Sequence, residues 1–327
     1  MNSTVEKKTQ SKLKYYWSRT EYDMFWTIGL RKRRCGKTIL SNTTDSFSVL
    51  DLPEKTFAAD PFLFEYNNKT YLFFELFLYK KNKGVIAYAE IIDNVVGEFK
   101  IAIEEDFHLS FPCIFKAGND IYMIPETGAE KKIILYKCET FPDKWRQEKI
   151  LLEDVDSSDN IVFDQDGKLF LIASILKDHT CIASNTLYEF DPNEKSLRLI
   201  EEKSEFGNIG FRNAGLLFED DDRLIRPGQN CEGNQYGKGL VFWNVDEIDD
   251  RRYKESIYKN IFIDDIAIDS YKNFCGVHTY NLCRGYETID LKILKKNSFF
   301  KRLYMLSIIS LKFFMRKIKG LFKGINK

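Results

Sequence analysis

The sequence predicts an all-β protein, a five-bladed β-propeller followed by a carboxyl-terminal basic amphipathic helix. A pattern of two short apolar runs occurs four times, and its anchor aromatics Phe64, Phe115, Phe163 and Phe218 recur about every 50 residues. Third strand-like runs follow all four copies, so each repeat can supply one antiparallel blade. A fifth, degenerate unit comes after the four copies. A period of this size is typical of a propeller or a solenoid array.

A two-residue polar link separates the two apolar runs of each copy. Asn, Asp and Gly occupy these links, and they tolerate the positive φ angles that tight hairpin turns require. The links are Asn67-Asn68, Gly118-Asn119, Asp166-Gly167 and Asp221-Asp222. Folding each copy about its link predicts that residue 60 pairs with 75, 111 with 126, 159 with 174, and 214 with 229.

The fifth blade is predicted to combine segments from both parts of the chain. Residues 275–280 and 286–291 read as two of its strands, and residues 25–30 form a free strand-like segment that can complete the blade and close the ring. We therefore divide the chain into a basic amino-terminal segment (1–24), a propeller (25–295) and a basic amphipathic helical tail (296–327).

Charge is balanced overall, with 49 basic and 49 acidic residues, but it is segregated along the chain. Both terminal regions are basic and the body between them is acidic, which argues against nucleic acid as a partner. The seven cysteines show no metal-ligand spacing, so we expect no metal and no cofactor. The cysteine usage and the lack of a signal-peptide core favour a cytoplasmic location.

The tail mixes large apolar residues with bases and contains no acidic residue. Its central apolar stretch, residues 303–311, is too short to span a bilayer. We expect residues 299–323 to form a helix that lies on an anionic membrane surface, which would make the protein peripheral to the inner face of the membrane. The alternative is a helix that docks on the propeller or on a partner protein.

Polar residues at the ends of the inner strands predict a funnel at the propeller axis, because all innermost strands run the same way along that axis. Carboxylates that share one cavity repel each other, and this raises some of their pKa values. Separated carboxylates in different protonation states are the groups that glycoside chemistry uses. Each residue also has a structural alternative: Asp60 can accept backbone amides, Glu75 and Glu126 can be charges at strand ends, and His278 can be a satisfied histidine. The candidate site residues are Asp60, Glu75, His108, Glu126, Asp159, Arg212, Arg226, Gln229, Tyr236 and His278.

Several of these residues belong to motifs that resemble a known family. The motifs are Ala59-Asp-Pro-Phe-Leu-Phe64, His108-Leu-Ser-Phe-Pro112, Tyr122-Met-Ile-Pro-Glu-Thr127, Phe141-Pro-Asp-Lys-Trp145, Arg226-Pro-Gly-Gln229 and Tyr236-Gly237. Together they resemble the amino-terminal domain of plant glucosamine inositolphosphorylceramide transferase, over roughly residues 25–295. The resemblance implies a five-bladed propeller of the kind seen in glycoside hydrolase families 32, 43 and 68.

The more distant hydrolase likeness implies roles for three acids. Asp60 matches the position of the base or nucleophile, and Asp159 resembles the acid that orients substrate or tunes a pKa. The general acid has no clean counterpart in blade four, where residues 211–215 stand, and Glu126 in blade two is the substitute. The predicted catalytic residues are therefore Asp60, Glu126 and Asp159, and the other candidates would bind substrate.

Two functions remain open at this point. The first is a glycosyl-transferring enzyme of surface polysaccharide or glycolipid biosynthesis, in which Arg212 and Arg226 would hold the phosphate of a nucleotide-sugar. The second is a non-catalytic propeller that binds a glycan or a partner and is anchored at the membrane surface. The fold alone does not separate them.

Overall fold

The computed structural model describes residues 20–34, 37–41, 45–177, 180–270, 273–283 and 285–307. Two compact units divide the chain, one formed by Trp26–Lys292 and the other by Met1–Phe25 with Ile293–Lys327. The larger unit is a five-bladed propeller, as the sequence predicts.

The described residues form strands, short 3-10 helices and a helix at residues 299–307. The strands are numbered here in chain order. The strands are β1 (Tyr22–Lys32), β2 (Phe47–Val49), β3 (Thr56–Tyr66), β4 (Lys69–Leu78), β5 (Lys83–Ile92), β6 (Val95–Val96), β7 (Lys100–Ile103), β8 (Ser110–Ala117), β9 (Asp120–Glu126), β10 (Lys132–Thr140), β11 (Lys144–Glu153), β12 (Ser157–Gln165), β13 (Lys168–Leu176), β14 (Ala183–Asp191), β15 (Ser196–Glu202), β16 (Ile209–Asn213), β17 (Phe218–Asp220), β18 (Arg223–Asn230), β19 (Gly239–Ile248), β20 (Tyr253–Phe262), β21 (Ile268–Asp269), β22 (Tyr280–Leu282) and β23 (Tyr286–Lys296). The 3-10 turns are Gly128–Glu130, Glu232–Asn234 and Ile263–Asp265.

Each of the first four blades is an antiparallel sheet made from consecutive strands. Blade one has the order β3-β4-β5-β6, with β7 also paired to β5. Blade two is β8-β9-β10-β11, and blade three is β12-β13-β14-β15. Blade four is β16-β18-β19-β20, with the short β17 paired to β18. The innermost strands β3, β8, β12 and β16 contact one another in turn, and β22 contacts β3.

The predicted hairpin turns are confirmed in all four copies. The strands pair directly across the links, as Tyr66 with Lys69, Ala117 with Asp120, Gln165 with Lys168, and Asp220 with Arg223. Asn67 and Asn68 have φ angles of 50° and 60°, the left-handed values that such turns require.

The predicted register beyond these turns is wrong by one residue in the first three blades. Glu75 pairs with Ala59 instead of Asp60, and Glu126 and Ser174 likewise pair with Ser110 and Ser158. A β-bulge in each inner strand causes the shift, because it adds one unpaired residue. The bulges contain Asp60, Phe111 and Asp159, whose φ angles are 51°, 45° and 50°. In blade four the shift is two residues, since Gly228 pairs with Asn213.

The fifth blade has the order β21-β2-β1-β23-β22, so the amino-terminal strand β1 lies between β2 and β23. The predicted ring closure by the segment around Trp26 is therefore confirmed. Arg31 of β1 forms an ion pair with Glu287 of β23, and both side chains are buried. The Thr288 hydroxyl donates to the carbonyl of Gly29 at 3.0 Å, which fixes the same two strands.

In the smaller unit, residues 299–307 form the described part of the predicted tail helix. The remaining residues of that prediction, 308–323, lie outside the described residues. Phe300 and Tyr304 are 82 % and 66 % exposed. Among the described residues, no helix has the length and apolar character needed to cross a membrane.

Candidate functional site

Five buried or largely buried carboxylates form the centre of the candidate site. Burial raises the pKa of Asp60 well above its usual range, and the charges of Glu75, Asp290, Asp159 and Glu126 raise it further. The structure thus brings the four predicted carboxylates together and adds Asp290, which sequence reasoning missed. Asp290 is an acidic residue between two buried apolar residues of β23, and this feature of the sequence could have identified it.

The β-bulges connect these carboxylates to neighbouring blades, because the bulge amides donate hydrogen bonds to them. The amide of Asp60 donates to Asp290 Oδ2, the amide of Phe111 to Asp60 Oδ2, and the amide of Asp159 to Glu126 Oε2, each at 3.3 Å. In three blades, the fifth, first and second, one acid therefore accepts the bulge amide of the following blade. This arrangement holds the blades in register and fixes the positions of the carboxylates.

His278 lies between two of the acids. Its Nδ1 is 2.5 Å from Asp290 Oδ2, and its Nε2 is 3.3 Å from Asp60 Oδ1. Burial acts to raise the pKa of Asp290, but the charge of His278 and hydrogen bonds from His278 and Thr279 outweigh it and lower that pKa. One ligand atom from each of Asp60, His278 and Asp290 lies within 4.8 Å of the others, so these residues can also hold a metal ion.

Arg212 joins the acids of blades two and three. Its Nε donates to Asp159 Oδ2 at 2.7 Å, and it lies 3.9 Å from Glu126. Gln229 Nε2 and the Ser158 hydroxyl also donate to Asp159 Oδ2, at 3.0 and 2.8 Å. Burial and the charge of Asp159 raise the pKa of Glu126 to about 7, although Arg212 acts to lower it. Arg212 therefore fixes the position of Asp159 by hydrogen bonding, and its charge offsets only part of the free-energy cost of ionising the buried Glu126.

His108 lies against Glu75. Its Nε2 is 3.4 Å from Glu75 Oε1, and its Nδ1 accepts a 2.9 Å hydrogen bond from the amide of Gly84. Because Nδ1 is the acceptor, the proton of the neutral ring is assigned to Nε2, which faces Glu75. Burial lowers the pKa of His108. Burial also raises the pKa of Glu75, and the charges of Glu126 and Asp290 add to this shift.

An aromatic cluster borders His278. The Trp26 ring lies 4.1 Å from the imidazole between centroids, and the Tyr236 ring lies 4.9 Å from it. The Arg212 guanidinium is 5.4 Å from the centroid of the Tyr236 ring. Trp26 was predicted only as part of the closing strand. Its place in the site depends on ring closure, which places β1 between β2 and β23 within the fifth blade.

The structure corrects the predicted position of Arg226. Side chains alternate between the two faces of a strand, so Arg226 and Gln229, three residues apart on β18, point in opposite directions. Gln229 reaches Asp159, whereas Arg226 is fully buried and pairs with Glu255 at 2.8 Å. Arg226 also donates to Asn213 and to the carbonyl of Gly210. It stabilises blade four from behind the site and is not available to hold a phosphate.

Fold and site together define a five-bladed propeller with a buried cluster of carboxylates at its inner strands. Among solved structures, the chain is similar to a thermostable family-43 glycoside hydrolase, with a TM-score of 0.54, 14 % identity, and coverage of 74 % of this chain and 93 % of that one. It is also similar to the catalytic domain of a GH62 α-L-arabinofuranosidase from Coprinopsis cinerea, with a TM-score of 0.54, 10 % identity, and coverage of 73 % and 90 %. At these identities the likeness shows the fold alone.

Sequence comparison identifies the family. Residues 41–299 match the family model of the glucosamine inositolphosphorylceramide transferase 1 N-terminal region, and the chain belongs to this family. A relative from Oryza sativa subsp. indica, named glucosamine inositolphosphorylceramide transferase 1, is 34 % identical over 209 residues, which is 61 % of this chain and 27 % of the relative. The Arabidopsis thaliana protein of the same name is 33 % identical over 229 residues, covering 65 % and 28 %. The chain thus spans about a quarter of the length of these relatives.

Proposed function

We propose that this protein takes part in glycosyl transfer during glycolipid or surface polysaccharide biosynthesis, and that the carboxylate cluster is its sugar site. The observation that carries the proposal is the convergence of five carboxylates from four blades on one cluster, and the directions of their pKa shifts support it. The pKa of Asp290 is lowered, while the pKa values of Asp60, Glu75 and Glu126 are raised. Neighbouring acids with separated pKa values are the arrangement that acid–base chemistry on a glycosidic bond requires. The plant relatives are named glucosamine inositolphosphorylceramide transferases, which supports glycosyl transfer to an inositolphosphorylceramide lipid.

Within this proposal Glu126 is the general acid. A pKa of about 7 leaves a large protonated fraction near neutral pH, which suits proton donation to a leaving oxygen. Asp159 positions the sugar, because Arg212, Gln229 and Ser158 fix one of its oxygens.

Asp60 is the proposed base, and His278 supports it. The raised pKa favours the protonated form of Asp60, so this group must release a proton before it acts as a base. His278 Nε2 lies 3.3 Å from Asp60 Oδ1, and we propose that the imidazolium, whose charge lowers the pKa of Asp290, stabilises Asp60 once this group has lost its proton. Asp290, on the other side of the ring, holds the imidazolium in place.

The charge of the site also affects the choice of ligand. Five carboxylates face three basic side chains, Arg212, His278 and His108; Arg212 is already paired with Asp159, and burial lowers the pKa of His108. We therefore propose that the cluster binds the sugar itself and that Arg212 positions the acids instead of holding a nucleotide diphosphate.

A glycosyl-transfer assay tests the proposal. The full chain is incubated with a panel of nucleotide-sugars and with vesicles that contain inositolphosphorylceramide, and sugar incorporation into lipid is measured. We expect Asp60→Asn and Glu126→Gln to abolish sugar incorporation into lipid. Both variants should still unfold in a cooperative transition with a measurable melting temperature. Glu90→Gln, which removes an acid paired with Lys69 away from the cluster, is the matched control and should retain full activity. Undiminished activity of the Glu126→Gln variant would refute the general-acid assignment.

A second candidate function is a glycan-binding propeller without catalysis. The observation that favours it is the use of Asp60 and Glu126 as acceptors of bulge amides, a structural role that needs no reaction. In that case the native chain shows no incorporation with any donor, yet binds the sugar or glycan in calorimetry. Asp159→Asn would then weaken binding more than it weakens folding.

We also propose that the protein is cytoplasmic and attaches to the inner face of the membrane through its tail. Phe300, Leu303 and Tyr304 are exposed on the described part of the helix, where Lys301 and Arg302 supply positive charge. Apolar and basic side chains on one segment are the combination that binds an anionic lipid surface. Flotation with phosphatidylserine vesicles, comparing the full chain with a chain ending at Asn297, tests this proposal. Equal binding by both would remove the tail as the anchor.

A further inference from the structure

An open groove of about 1170 Å³ lies between blades five and one, within the larger unit. The end of β1 and the strand β2 form one wall, and residues 94–99 of blade one form the other. None of the five carboxylates of the cluster lines this cavity. We call it the seam groove, because it follows the strand that closes the ring.

Three consecutive bases stand at one end of the seam groove. Lys32, the last residue of β1, is followed by Arg33 and Arg34, and all three line the cavity. Arg34 is paired with Asp45 at 2.6 Å, and Arg33 donates through Nε to the carbonyl of Lys37 at 2.8 Å. Within the described part of the chain, Lys32 and Arg33 have no acidic partner. This end of the groove therefore carries positive charge that no internal ion pair uses.

Hydrogen-bonding groups accompany these bases. Tyr286 precedes Glu287, the partner of Arg31 on β1, and therefore lies at the level of Lys32. Its hydroxyl donates to Asn94 Oδ1 at 3.0 Å, which joins blade five to blade one across the groove. Two serine hydroxyls also line the cavity, from Ser46 and Ser48. Positive charge together with amide and hydroxyl donors is the environment that binds a phosphate group.

The middle of the seam groove is apolar. Leu30 and Leu50 are buried there. Leu52, Val96 and Phe99 pack against the same core and stay partly exposed. This apolar strip is the uncovered surface of the core between the two blades, and a ligand chain that covered it would gain free energy from the burial.

The acid Asp51 lines the seam groove at the end opposite to the bases. The Thr27 hydroxyl donates to the carbonyl of Leu50, so Asp51 follows at the level of Thr27. Thr27 precedes Lys32 by five residues on β1, which corresponds to about 16 Å along the strand. The charge of Asp51 is therefore well separated from that of Lys32.

Two further acids of the lining, Glu98 and Asp269, also stand apart from the basic end. Residues 95–100 run antiparallel along β5, and this direction carries Glu98 away from Asn94. Asp269 belongs to β21, two strands out from β1, which corresponds to about 10 Å. Positive charge is therefore concentrated at one end of an apolar groove.

We propose that the seam groove binds one molecule of an anionic lipid, with its phosphate at Lys32 and Arg33 and its chain along the apolar middle. The charge of the phosphate complements the two unpaired bases, and the chain covers the exposed apolar strip. Arg212 and Arg226 are not free for this role, because Asp159 and Glu255 already pair with them. The inference does not depend on glycosyl transfer, since it uses no residue of the carboxylate cluster.

Calorimetry of the full chain with three probes tests the inference. Decyl phosphate, below its micelle concentration, offers charge and chain, whereas inorganic phosphate offers only the charge and decyl maltoside only the chain. We expect decyl phosphate to bind about tenfold or more tightly than either of the others, because a charge-assisted hydrogen bond contributes free energy of about that factor.

A double substitution assigns the binding to the groove. Lys32→Gln with Arg33→Gln should weaken decyl phosphate binding about tenfold or more, while thermal melts of the unliganded variant show that it stays folded. Arg251→Gln with Lys254→Gln removes one arginine and one lysine at exposed positions of blade four, and this matched control should bind like the native chain.

A second readout separates the seam groove from the basic tail, which can attract the same probe. A photoreactive alkyl phosphate should label residues 48–52 or 94–99 of the native chain, as peptide mapping would show. The inference is overturned if the label is confined to residues 299–323, or if the Lys32→Gln and Arg33→Gln variant binds as tightly as the native chain. Equal binding of decyl phosphate and either other probe, or no binding at all, would overturn it as well.

Discussion

The ion pair between Arg31 and Glu287 joins the closing strand β1 to β23, and its removal tests how the ring is held shut. Arg31 donates through Nε to Glu287 Oε2 at 2.8 Å and also through a terminal nitrogen. A further donation goes to the carbonyl of Asp45 at 2.9 Å, and the guanidinium lies 4.3 Å from the centroid of the Phe47 ring. The perturbation we choose is Arg31→Met, which keeps the length of the side chain and removes the charge.

The magnitude follows from what the substitution leaves behind. Glu287 is 1 % exposed, and its remaining side-chain partner in the described structure is the Tyr280 hydroxyl at 2.9 Å. Breaking a buried ion pair from one side costs about 3–5 kcal/mol, because the second charge stays buried without compensation. We therefore expect Arg31→Met to lower the free energy of unfolding by that amount. Adding Glu287→Gln should restore part of the loss, since it removes the stranded charge.

Urea denaturation followed by tryptophan fluorescence measures the effect. The matched control is Arg34→Met, which breaks the ion pair with Asp45 at a position where the arginine side chain is 71 % exposed. Exposed pairs contribute about 0–1 kcal/mol, so this variant should unfold almost like the native protein. Equal stability of the Arg31→Met and Arg34→Met variants would refute the view that this pair secures ring closure.

Three further predictions address the acids, the packing around them and the tail. Glu126→Gln should stabilise the protein by roughly 1–3 kcal/mol at pH 8 and leave its stability unchanged near pH 4. The pKa of Glu126 is raised in the folded state, so the native protein loses stability as the pH rises from the ordinary pKa of 4.5 towards about 7. An equal effect of the substitution in thermal melts at both pH values would contradict this prediction. Gly84→Ala should lower the free energy of unfolding by about 1–3 kcal/mol, since the added Cβ would lie 2.5 Å from the carbonyl oxygen of Leu109 and 2.6 Å from Glu75 Oε1. An unchanged melting temperature would show that the backbone moves there without cost and would contradict this prediction. Phe300→Ser should weaken flotation with anionic vesicles several-fold, whereas Ile92→Ser, at an exposed position on blade one, should not; equal losses in both would point to general surface stickiness.

The local parts of the fold could be predicted because they depend on local chemistry. Asn67 and Asn68 accept positive φ, and this alone sets the hairpin and the register next to it. The bulge at Asp60 could not be found in the same way. Its unpaired amide is satisfied by Asp290, an acid 230 residues away in another blade, so the conformation depends on assembly of the ring.

The difference between local chemistry and contacts across the ring also explains which site residues could be predicted from the sequence. Asp60 and Asp159 occupy one position of the repeat, and Glu75 and Glu126 occupy another beside it, so their convergence follows from repeats that are visible in the sequence. Asp290 and Trp26 belong to the degenerate blade, where the repeat is too weak to align. Arg226 was predicted to bind substrate phosphate, but side chains alternate along β18 and place it on the face opposite to Gln229, where it pairs with Glu255.

The position of β1 in the last blade also has a consequence for biosynthesis. Ribosomes add about 5–20 residues per second, so Trp26 would wait roughly 10 to 50 seconds before its partner strand β23 is made. Through that interval β1 has β2 as a neighbour, but the edge that will pair with β23 stays open, and an open strand edge favours pairing with other chains. The ring and the surroundings of His278 are completed in one late event. A nascent chain therefore completes its ring and its candidate site together, once β23 has been made.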